Sequence, residues 1–358
     1  MNLVKRFARF GLGLKALLLS LSLLACHSTS TPGAQETDED LTLFRGANNN
    51  SYYALYFRAP LVPGAERVAM ETFEVDLRPE RDVTVHVEVF NPDGMIPLLI
   101  TPGGMGDCDG FRGFARNVAV AAPDLKVILW DRRNVGRSEV AFGTEPWSIE
   151  EGEDLHVLIE RLGVAPAALY GMSSGGRPSM IVADRYPDDV AALVIAPLTG
   201  GPVAAARLSE EYYLKYLSDV QLTTMSPVDG LPLESMEALA ETPLWSAYLE
   251  RNSKNNRARF FAQDIDAFLA AMRRSGECLR GYRHRVALGM TNEELAGLSV
   301  PATLLLHHGN ETDDIHPKTI SLAASALIPN SKLAFPPHRP EVLEVLLPFI
   351  REHTPARR

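Results

Sequence analysis

Hydrophobic positions along the chain follow two patterns that alternate. Short continuous apolar runs, which a strand needs when both faces of its sheet are covered, are separated by segments whose apolar residues recur at helical spacing. The runs are Ile96–Ile100, Val127–Trp130, Ala168–Tyr170 and Leu193–Ala196, and the clearest amphipathic segment is Ser148–Leu162. This alternation predicts a mostly parallel, doubly wound α/β sheet.

The same sheet is predicted to continue at both ends of this region. Upstream, two β-branched runs with partial alternation of apolar and polar residues are typical of an antiparallel hairpin. Downstream, strand-like and helix-like segments alternate again. The upstream runs are Val68–Val75 and Val83–Val89, and the downstream segments are Ala302–Leu306, Thr319–Leu327, Lys332–Phe335 and Glu341–Phe349.

One long interval interrupts this order. Residues 201–298 contain aromatic, amphipathic stretches and no convincing strand pattern, as in Tyr212–Leu217, Trp245–Arg251 and Phe260–Met272. A helical insertion between two parts of one sheet explains the interval most simply. Residues 51–200 and 299–358 are therefore predicted to form the α/β core, and residues 201–298 the insertion.

The first 25 residues have the pattern of a targeting segment. Four basic residues and no acidic ones accompany an apolar run that ends at Leu23-Leu24-Ala25-Cys26. This ending resembles the bacterial lipobox, which implies a signal peptide over residues 1–25, a lipidated Cys26 and a flexible tether over residues 26–50. A plain secretory signal and an uncleaved anchor helix are the alternatives. Because no aspartate follows Cys26, lipoprotein sorting rules imply the outer membrane.

Charge and cysteine content narrow the class of partner. The chain carries 45 acidic and 35 Lys and Arg residues, for a formal charge of −10, which argues against nucleic acid as a partner. Removal of the basic leader makes the chain more acidic, so membrane attachment is expected through Cys26 alone. The other two cysteines, Cys108 and Cys278, either form a disulfide or remain separate thiols.

The strongest chemical motif follows the strand that ends at Tyr170. The residues Gly171-Met172-Ser173-Ser174-Gly175-Gly176 contain G-x-S-x-G between a strand and a helix. A serine in such a tight turn needs small neighbours, because larger side chains would collide with the crossing strand and helix. Only Ser173 has both flanking glycines, so Ser173 is the predicted nucleophile.

A serine nucleophile needs a histidine base. We expect the base to be His338, because Phe335-Pro336-Pro337-His338 follows the last short strand and precedes the final helix. The other downstream histidines lie in the insertion, at the end of a strand, in the loop after that strand, or in the tail. They are His284, His307, His308, His316 and His353.

The acid that orients the base is expected between the nucleophile and the histidine in chain order. The loop after the strand Ala302–Leu306 contains the adjacent residues Asp313 and Asp314, of which only one can point at His338. We expect Asp313 to be this acid, with Asp314 as the alternative and Glu311 as a weaker third choice.

Two backbone N–H groups are expected to stabilise an oxyanion. One belongs to Ser174, the residue after the nucleophile. The other is predicted in the glycine-rich loop Thr101–Gly106, where Gly104 is the favoured donor and Met105 the alternative.

Together these motifs resemble those of an α/β-hydrolase with a helical cap over residues 201–298, in the branch of proline iminopeptidases and related esterases. The resemblance runs from about Val68 to Phe349 and includes the segment Asp131–Ser138, whose role in that family is mostly structural. Two departures stand out. Pro102 takes the place of a histidine that usually begins the oxyanion loop, and Pro337 takes the place of the glycine before the histidine.

The resemblance implies acyl transfer to water through Ser173, with a small ester, lactone, thioester or peptide as substrate. No metal or organic cofactor is required, although His307, His308 and His316 near Asp313 could suggest a metal site. An inactive hydrolase-fold lipoprotein that binds or assembles other molecules is the alternative from another class. A C–C bond hydrolase or a cofactor-free perhydrolase is a further alternative.

Peptidase and esterase activities differ in what the cap must provide. An aminopeptidase needs carboxylates there to hold a substrate ammonium group. The acidic residues available are Glu210, Glu211 and Glu237. Acidic residues are common on any helix surface, so the sequence leaves this choice open.

Overall fold

The computed structural model describes residues 59–104, 106–141, 143–214, 217, 235–252, 257–309, 313–336 and 339–357. The predicted leader, Cys26, the tether, Met105, Glu311 and His338 lie outside these residues. All elements below belong to one unit, Ala47–Arg358. Within the described ranges, none of the helices combines the length and apolar character needed to cross a membrane.

Eight strands form one twisted sheet in the order β1-β2-β4-β3-β5-β6-β7-β8. Strands β1 and β2 form an antiparallel hairpin, β2 pairs antiparallel with β4, and all other neighbours are parallel. The strands are β1 Met70–Asp76, β2 Thr84–Phe90, β3 Ile96–Thr101, β4 Leu125–Trp130, β5 Ala167–Gly171, β6 Val190–Ile195, β7 Thr303–Leu306 and β8 Ser331–Ala334. The predicted hairpin and the mostly parallel sheet are confirmed.

Helices cover both faces of the sheet, as continuous apolar strands require. Along β3, Leu98 and Ile100 pack into one hydrophobic cluster and Leu99 into the other, because successive side chains of a strand point to opposite faces. The core helices are α1 Cys108–Ala121, α2 Trp147–Leu162, α3 Gly176–Arg185, α10 Lys318–Leu327 and α11 Arg339–His353.

The described part of the interval between β6 and β7 is helical, as predicted. All but the last of its helices contribute to a third hydrophobic cluster built around Trp245, Phe260 and Phe268, whereas the last helix packs Leu295 into the second cluster. They are α4 Gly201–Ser209, α5 Met236–Glu241, α6 Pro243–Asn252, α7 Arg257–Phe261, α8 Ile265–Gly281 and α9 Asn292–Gly297. The boundary of the cap stays a prediction.

The predicted amphipathic stretch Phe260–Met272 is divided between two helices. Helix α7 ends at Phe261, and α8 begins at Ile265. Between them, the carboxylate of Asp264 accepts a hydrogen bond from the N–H of Ala267 at 2.8 Å. This N-cap satisfies a backbone donor that the first turn of α8 would otherwise leave unpaired, so it separates the two helices.

Cys108 and Cys278 are both free thiols. Cys108 is fully buried at the first residue of α1, and burial raises the pKa of its thiol well above the usual value. Of the two arrangements that the sequence left open, the structure has the separate thiols.

Buried ion pairs join the edge of the sheet to α2. The carboxylate of Asp154, which has no exposed surface, accepts hydrogen bonds from the Nε atoms of Arg81 and Arg133 at 2.9 and 2.5 Å. A second bond from Arg133 Nη2 to Asp154 Oδ1 measures 2.6 Å, which makes this pairing bidentate. Asp154 therefore holds α2 against the loops that follow β1 and β4.

Asp154→Asn should destabilise the fold by about 3–5 kcal/mol, because it leaves two arginines without their shared carboxylate, one of them deeply buried. Urea denaturation measures the change in the free energy of unfolding. Asp76→Asn is the matched control, since its partner Arg78 is exposed to solvent, and we expect a much smaller change. Equal effects of both substitutions would contradict the structural role of Asp154.

Candidate active site

Ser173 lies in the sharp turn between β5 and α3. Its backbone has φ +50°, in the left-handed region that side chains other than glycine rarely adopt. The turn is possible because the flanking residues have no side chains. A Cβ on Gly171 would lie 2.6 Å from the carbonyl oxygen of Gly175, and a Cβ on Gly175 would lie 2.3 Å from that of Thr101. The glycines therefore allow the strained position of Ser173.

The hydroxyl of Ser173 is hydrogen-bonded to a histidine. The Nε2 atom of His316 lies 2.8 Å from Ser173 Oγ, and both residues are buried. The Nδ1 atom of His316 lies 2.9 Å from Asp313 Oδ2. Because a carboxylate only accepts, Nδ1 carries the proton, and Nε2 is left to accept the hydroxyl hydrogen of Ser173.

The loop itself fixes the carboxylate of Asp313. Its Oδ1 accepts hydrogen bonds from the backbone N–H groups of Ile315 and His316, both at 3.0 Å. Its Oδ2 also accepts a hydrogen bond from His308 Nε2 at 3.1 Å. Burial alone would raise the pKa of the Asp313 carboxyl, but hydrogen bonds from His308 and His316 outweigh it, so this pKa lies well below its usual range.

A third histidine supports this loop through backbone contacts. The Nδ1 atom of His307 accepts a hydrogen bond from the N–H of Gly309 at 2.9 Å, so its proton is on Nε2. That Nε2–H donates to the carbonyl oxygen of His316 at 2.8 Å. Burial, together with the nearby His308 and His316, lowers the pKa of His307 to about 4.

The base position differs from the sequence-based expectation. His338 was expected to contact Ser173, and it lies outside the described residues, so its role stays a prediction. The histidine that contacts Ser173 is His316, which follows Asp313 by three residues. The order nucleophile, acid, histidine is retained. An Asp-x-x-His spacing in a turn was the signal that could have identified His316.

The structure also separates the two adjacent aspartates. Asp313 faces His316, whereas Asp314 points away and forms an ion pair with Arg207 of α4 at 3.0 Å. Asp314 is partly exposed and lies next to α4, which explains why Arg207 is its partner. Glu311, the third choice for the acid, lies outside the described residues.

The glycine-rich loop after β3, which is the expected oxyanion loop, packs directly onto Ser173. A Cβ on Gly103 would lie 3.0 Å from the Cβ of Ser173, so only glycine allows this approach. The carbonyl oxygen of Gly104 accepts hydrogen bonds from Arg132 Nη2 at 2.5 Å and from Ser174 Oγ at 3.1 Å. The loop is therefore braced by Arg132, although Pro102 stands where a histidine is usual.

Gly104 and Ser174, the two expected oxyanion donors, lie next to each other beside Ser173. Among the loop and turn hydrogen bonds of the described residues, none has the backbone N–H of Gly104 as its donor. Gly104 has φ +57°, a conformation that favours glycine. A second hydroxyl also borders the site, since Thr199 Oγ1 lies 3.3 Å from Ser173 Oγ.

Two clusters of described residues contain possible metal ligands. One is His308, Asp313 and His316, and the other is His86, Glu88 and Cys108. In the first cluster the imidazoles already donate to the carboxylate. In the second, Arg112 forms a bidentate pair with Glu88. Both arrangements satisfy the carboxylate without a metal ion.

The fold and the site together define an α/β-hydrolase fold with a serine at its nucleophile turn. Comparison with known proteins agrees, because residues 96–234 match the family model described as alpha/beta hydrolase fold. Solved structures show the same fold. They include Rv0554 of Mycobacterium tuberculosis, with a TM-score of 0.52, 20% identity and coverage of 79% of this chain and 99% of that one.

Curated relatives match shorter segments. Uncharacterized hydrolase YraK of Bacillus subtilis is 31% identical over 98 residues, which are 27% of this chain and 35% of that protein. The sn-1-specific diacylglycerol lipase ABHD11 of Mus musculus is 28% identical over 125 residues, 35% of this chain and 39% of the relative. The matches thus span less than half the length of these relatives.

Acid should destabilise the fold through His307. Its folded pKa of about 4 lies below the unfolded value of about 6.5, so the unfolded state takes up a proton first as the pH falls. The free energy of unfolding should therefore fall by on the order of 2–3 kcal/mol as the pH is lowered from 6.5 to 4. Denaturant unfolding at several pH values measures this loss.

The matched variant for this test is His307→Gln, which keeps a donor near His316 but cannot gain a proton. Its unfolding free energy should depend less on pH across that window, because the substituted side chain takes up no proton when the protein unfolds. A variant with the same pH dependence as the wild type would show that His307 is not the responsible group.

Proposed function

We propose that this protein is a serine hydrolase in which Ser173 is the nucleophile, His316 the general base and Asp313 the residue that orients the base. The observation that carries the proposal is the unbroken chain of hydrogen bonds from Asp313 through His316 to Ser173 Oγ. The strained, buried position of Ser173 supports it, because such strain is common at functional sites.

In this mechanism His316 Nε2 removes the hydroxyl proton as Ser173 Oγ attacks the substrate carbonyl carbon. The negative carboxylate of Asp313 stabilises the imidazolium that forms. The N–H groups of Gly104 and Ser174 donate to the oxyanion. His316 then returns the proton to the leaving group, and a water molecule cleaves the acyl-enzyme by the same steps.

Contacts in the cap favour an ester or lactone over a peptide with a free amino terminus. Two of the carboxylates available to hold an ammonium group are already paired with arginines. Glu210 pairs with Arg280 at 3.0 Å, and Glu211 pairs with Arg207 at 2.8 Å. An aminopeptidase resembling the proline iminopeptidases would therefore have to hold the substrate ammonium group with Glu237, the third candidate, or break one of these ion pairs.

We also propose attachment to the bacterial outer membrane through a lipidated Cys26. Support comes from the sequence Leu23-Leu24-Ala25-Cys26 behind a basic and apolar leader. Several acyl chains on one cysteine suffice for stable anchoring. The catalytic unit would then act on small molecules at the membrane surface.

A fluorophosphonate probe should label the wild-type protein on Ser173, because the probe reacts with activated serines. Ser173→Ala should abolish labelling. His316→Asn should slow labelling and ester hydrolysis by at least about 1,000-fold, since the serine loses its base. Intact-protein mass spectrometry and p-nitrophenyl acetate hydrolysis measure both effects.

His338→Asn is the matched control for the choice of base, and it should retain most of the activity. A large loss in His338→Asn together with a small loss in His316→Asn would assign the base to His338 instead. A folded wild-type protein without labelling would support the inactive binding lipoprotein.

Cys26→Ser should release the protein from the membrane if Cys26 carries the anchor. Phase partitioning in Triton X-114 and metabolic labelling with palmitate test this in bacteria that express the full chain. Cys278→Ser is the control and should partition like the wild type. Retention of Cys26→Ser in the detergent phase would contradict the lipid anchor and favour an uncleaved helix.

A further inference from the structure

Arg177 is a buried cation without a hydrogen-bonded partner. It lies in α3, one helical turn beyond Ser173, and is only 3% exposed. Its Nε and Nη1 atoms are buried and have no hydrogen-bond partner among the described residues. A buried guanidinium usually pairs with an anion, because an uncompensated charge in the interior is costly.

Nearby acidic groups do not fully balance this charge. Glu151 is the acidic group of α2 that interacts with Arg177, but its Oε1 already accepts a hydrogen bond from Arg132 at 2.9 Å. One carboxylate thus serves two guanidinium groups. The neighbouring Asp154 and Glu150 pair instead with Arg81 and Arg133. The carboxylate beside Arg177 is therefore shared with Arg132, and no hydrogen bond joins it to Arg177 among the described residues.

Two series of contacts connect the surroundings of Arg177 to the turn that contains Ser173, the proposed nucleophile. On one side, Ser174 and Arg132 both donate to the carbonyl oxygen of Gly104, and Arg132 binds Glu151 beside Arg177.

On the other side, Thr199 contacts Ser173, and its carbonyl oxygen accepts a hydrogen bond from the N–H of Leu288 at 3.1 Å. The next residue, Gly289, has φ +93° and would bring a Cβ to 3.2 Å from Arg177 Cδ. Both series of contacts therefore run from the turn at Ser173 to residues that lie beside Arg177.

We propose that Arg177 binds a carboxylate of the substrate, so the preferred substrates are small esters or lactones that carry a carboxylate besides the acyl group to be cleaved. This inference rests on the proposed serine hydrolase activity. A guanidinium group donates two parallel hydrogen bonds to a carboxylate, and the unpartnered Nε and Nη1 atoms are suitable donors. The bound anion would also compensate the buried positive charge.

Matched pairs of esters test the assignment. The mono-p-nitrophenyl ester of succinic acid differs from p-nitrophenyl butyrate by a carboxylate in place of a methyl group. The pair 4-carboxyphenyl acetate and phenyl acetate places the carboxylate on the leaving group instead. The wild type should have at least roughly tenfold higher kcat/KM for the charged member of one pair, with most of the difference in KM.

Arg177→Met should remove this preference, and Arg177→Lys should keep part of it because the positive charge remains. Arg207→Met is the control, since Arg207 already has Glu211 and Asp314 as partners, and it should leave the ratio of the two esters unchanged. Equal loss on both members of a pair would indicate a purely structural role for Arg177 and overturn the proposal.

Inhibition of the wild type does not depend on how well the variants fold. Succinate should inhibit p-nitrophenyl butyrate hydrolysis competitively, and its uncharged diamide should not. Stronger inhibition by phosphate than by succinate would contradict the carboxylate assignment.

Labelling of Ser173 by the fluorophosphonate probe separates the two proposals. Labelling without a preference for charged esters overturns only the role of Arg177. The absence of labelling overturns the proposed hydrolase activity itself.

Discussion

The close approach of backbone segments around Ser173 is the constraint on which the candidate site depends. Ser173 adopts its left-handed conformation only because Gly171, Gly175 and Gly103 allow the crossing strand, helix and loop to pass within contact distance. This approach aims the hydroxyl away from the sheet and toward the loop after β7. It also brings the glycine-rich loop after β3 against Ser173, so the same packing that strains the serine places the two proposed oxyanion donors beside it.

A second constraint is electrostatic, since several charged groups are buried near the site. Arg132 connects the oxyanion loop to Glu151 of α2, which stabilises a loop that has no histidine at position 102. The carboxylate of Asp313 is held by backbone N–H groups and by two imidazoles. Because these groups are preorganised, the proposed acyl transfer would require little rearrangement as charge develops.

The fold could be predicted largely from local patterns, and the site only in part. Strands such as β3 and β5 are continuous apolar runs, so their burial follows from composition alone. The turn at Ser173 is encoded by adjacent glycines. The histidine was harder to predict, because six histidines follow Ser173 and their distances from it depend on how separate loops meet.

By itself, the sequence determined the alternation of strands and helices, the helical character of the described residues between β6 and β7, and the glycine-rich turn at Ser173. These features are local, since each depends on the periodicity or the glycines of one short segment. Only the tertiary structure decided that His316 contacts Ser173, that Asp314 pairs with Arg207, and that Cys108 and Cys278 are free thiols. It also decided that Arg177 Nε and Nη1 are buried with no hydrogen-bond partner among the described residues. Each of these depends on distances between segments far apart in the chain, which local patterns do not encode.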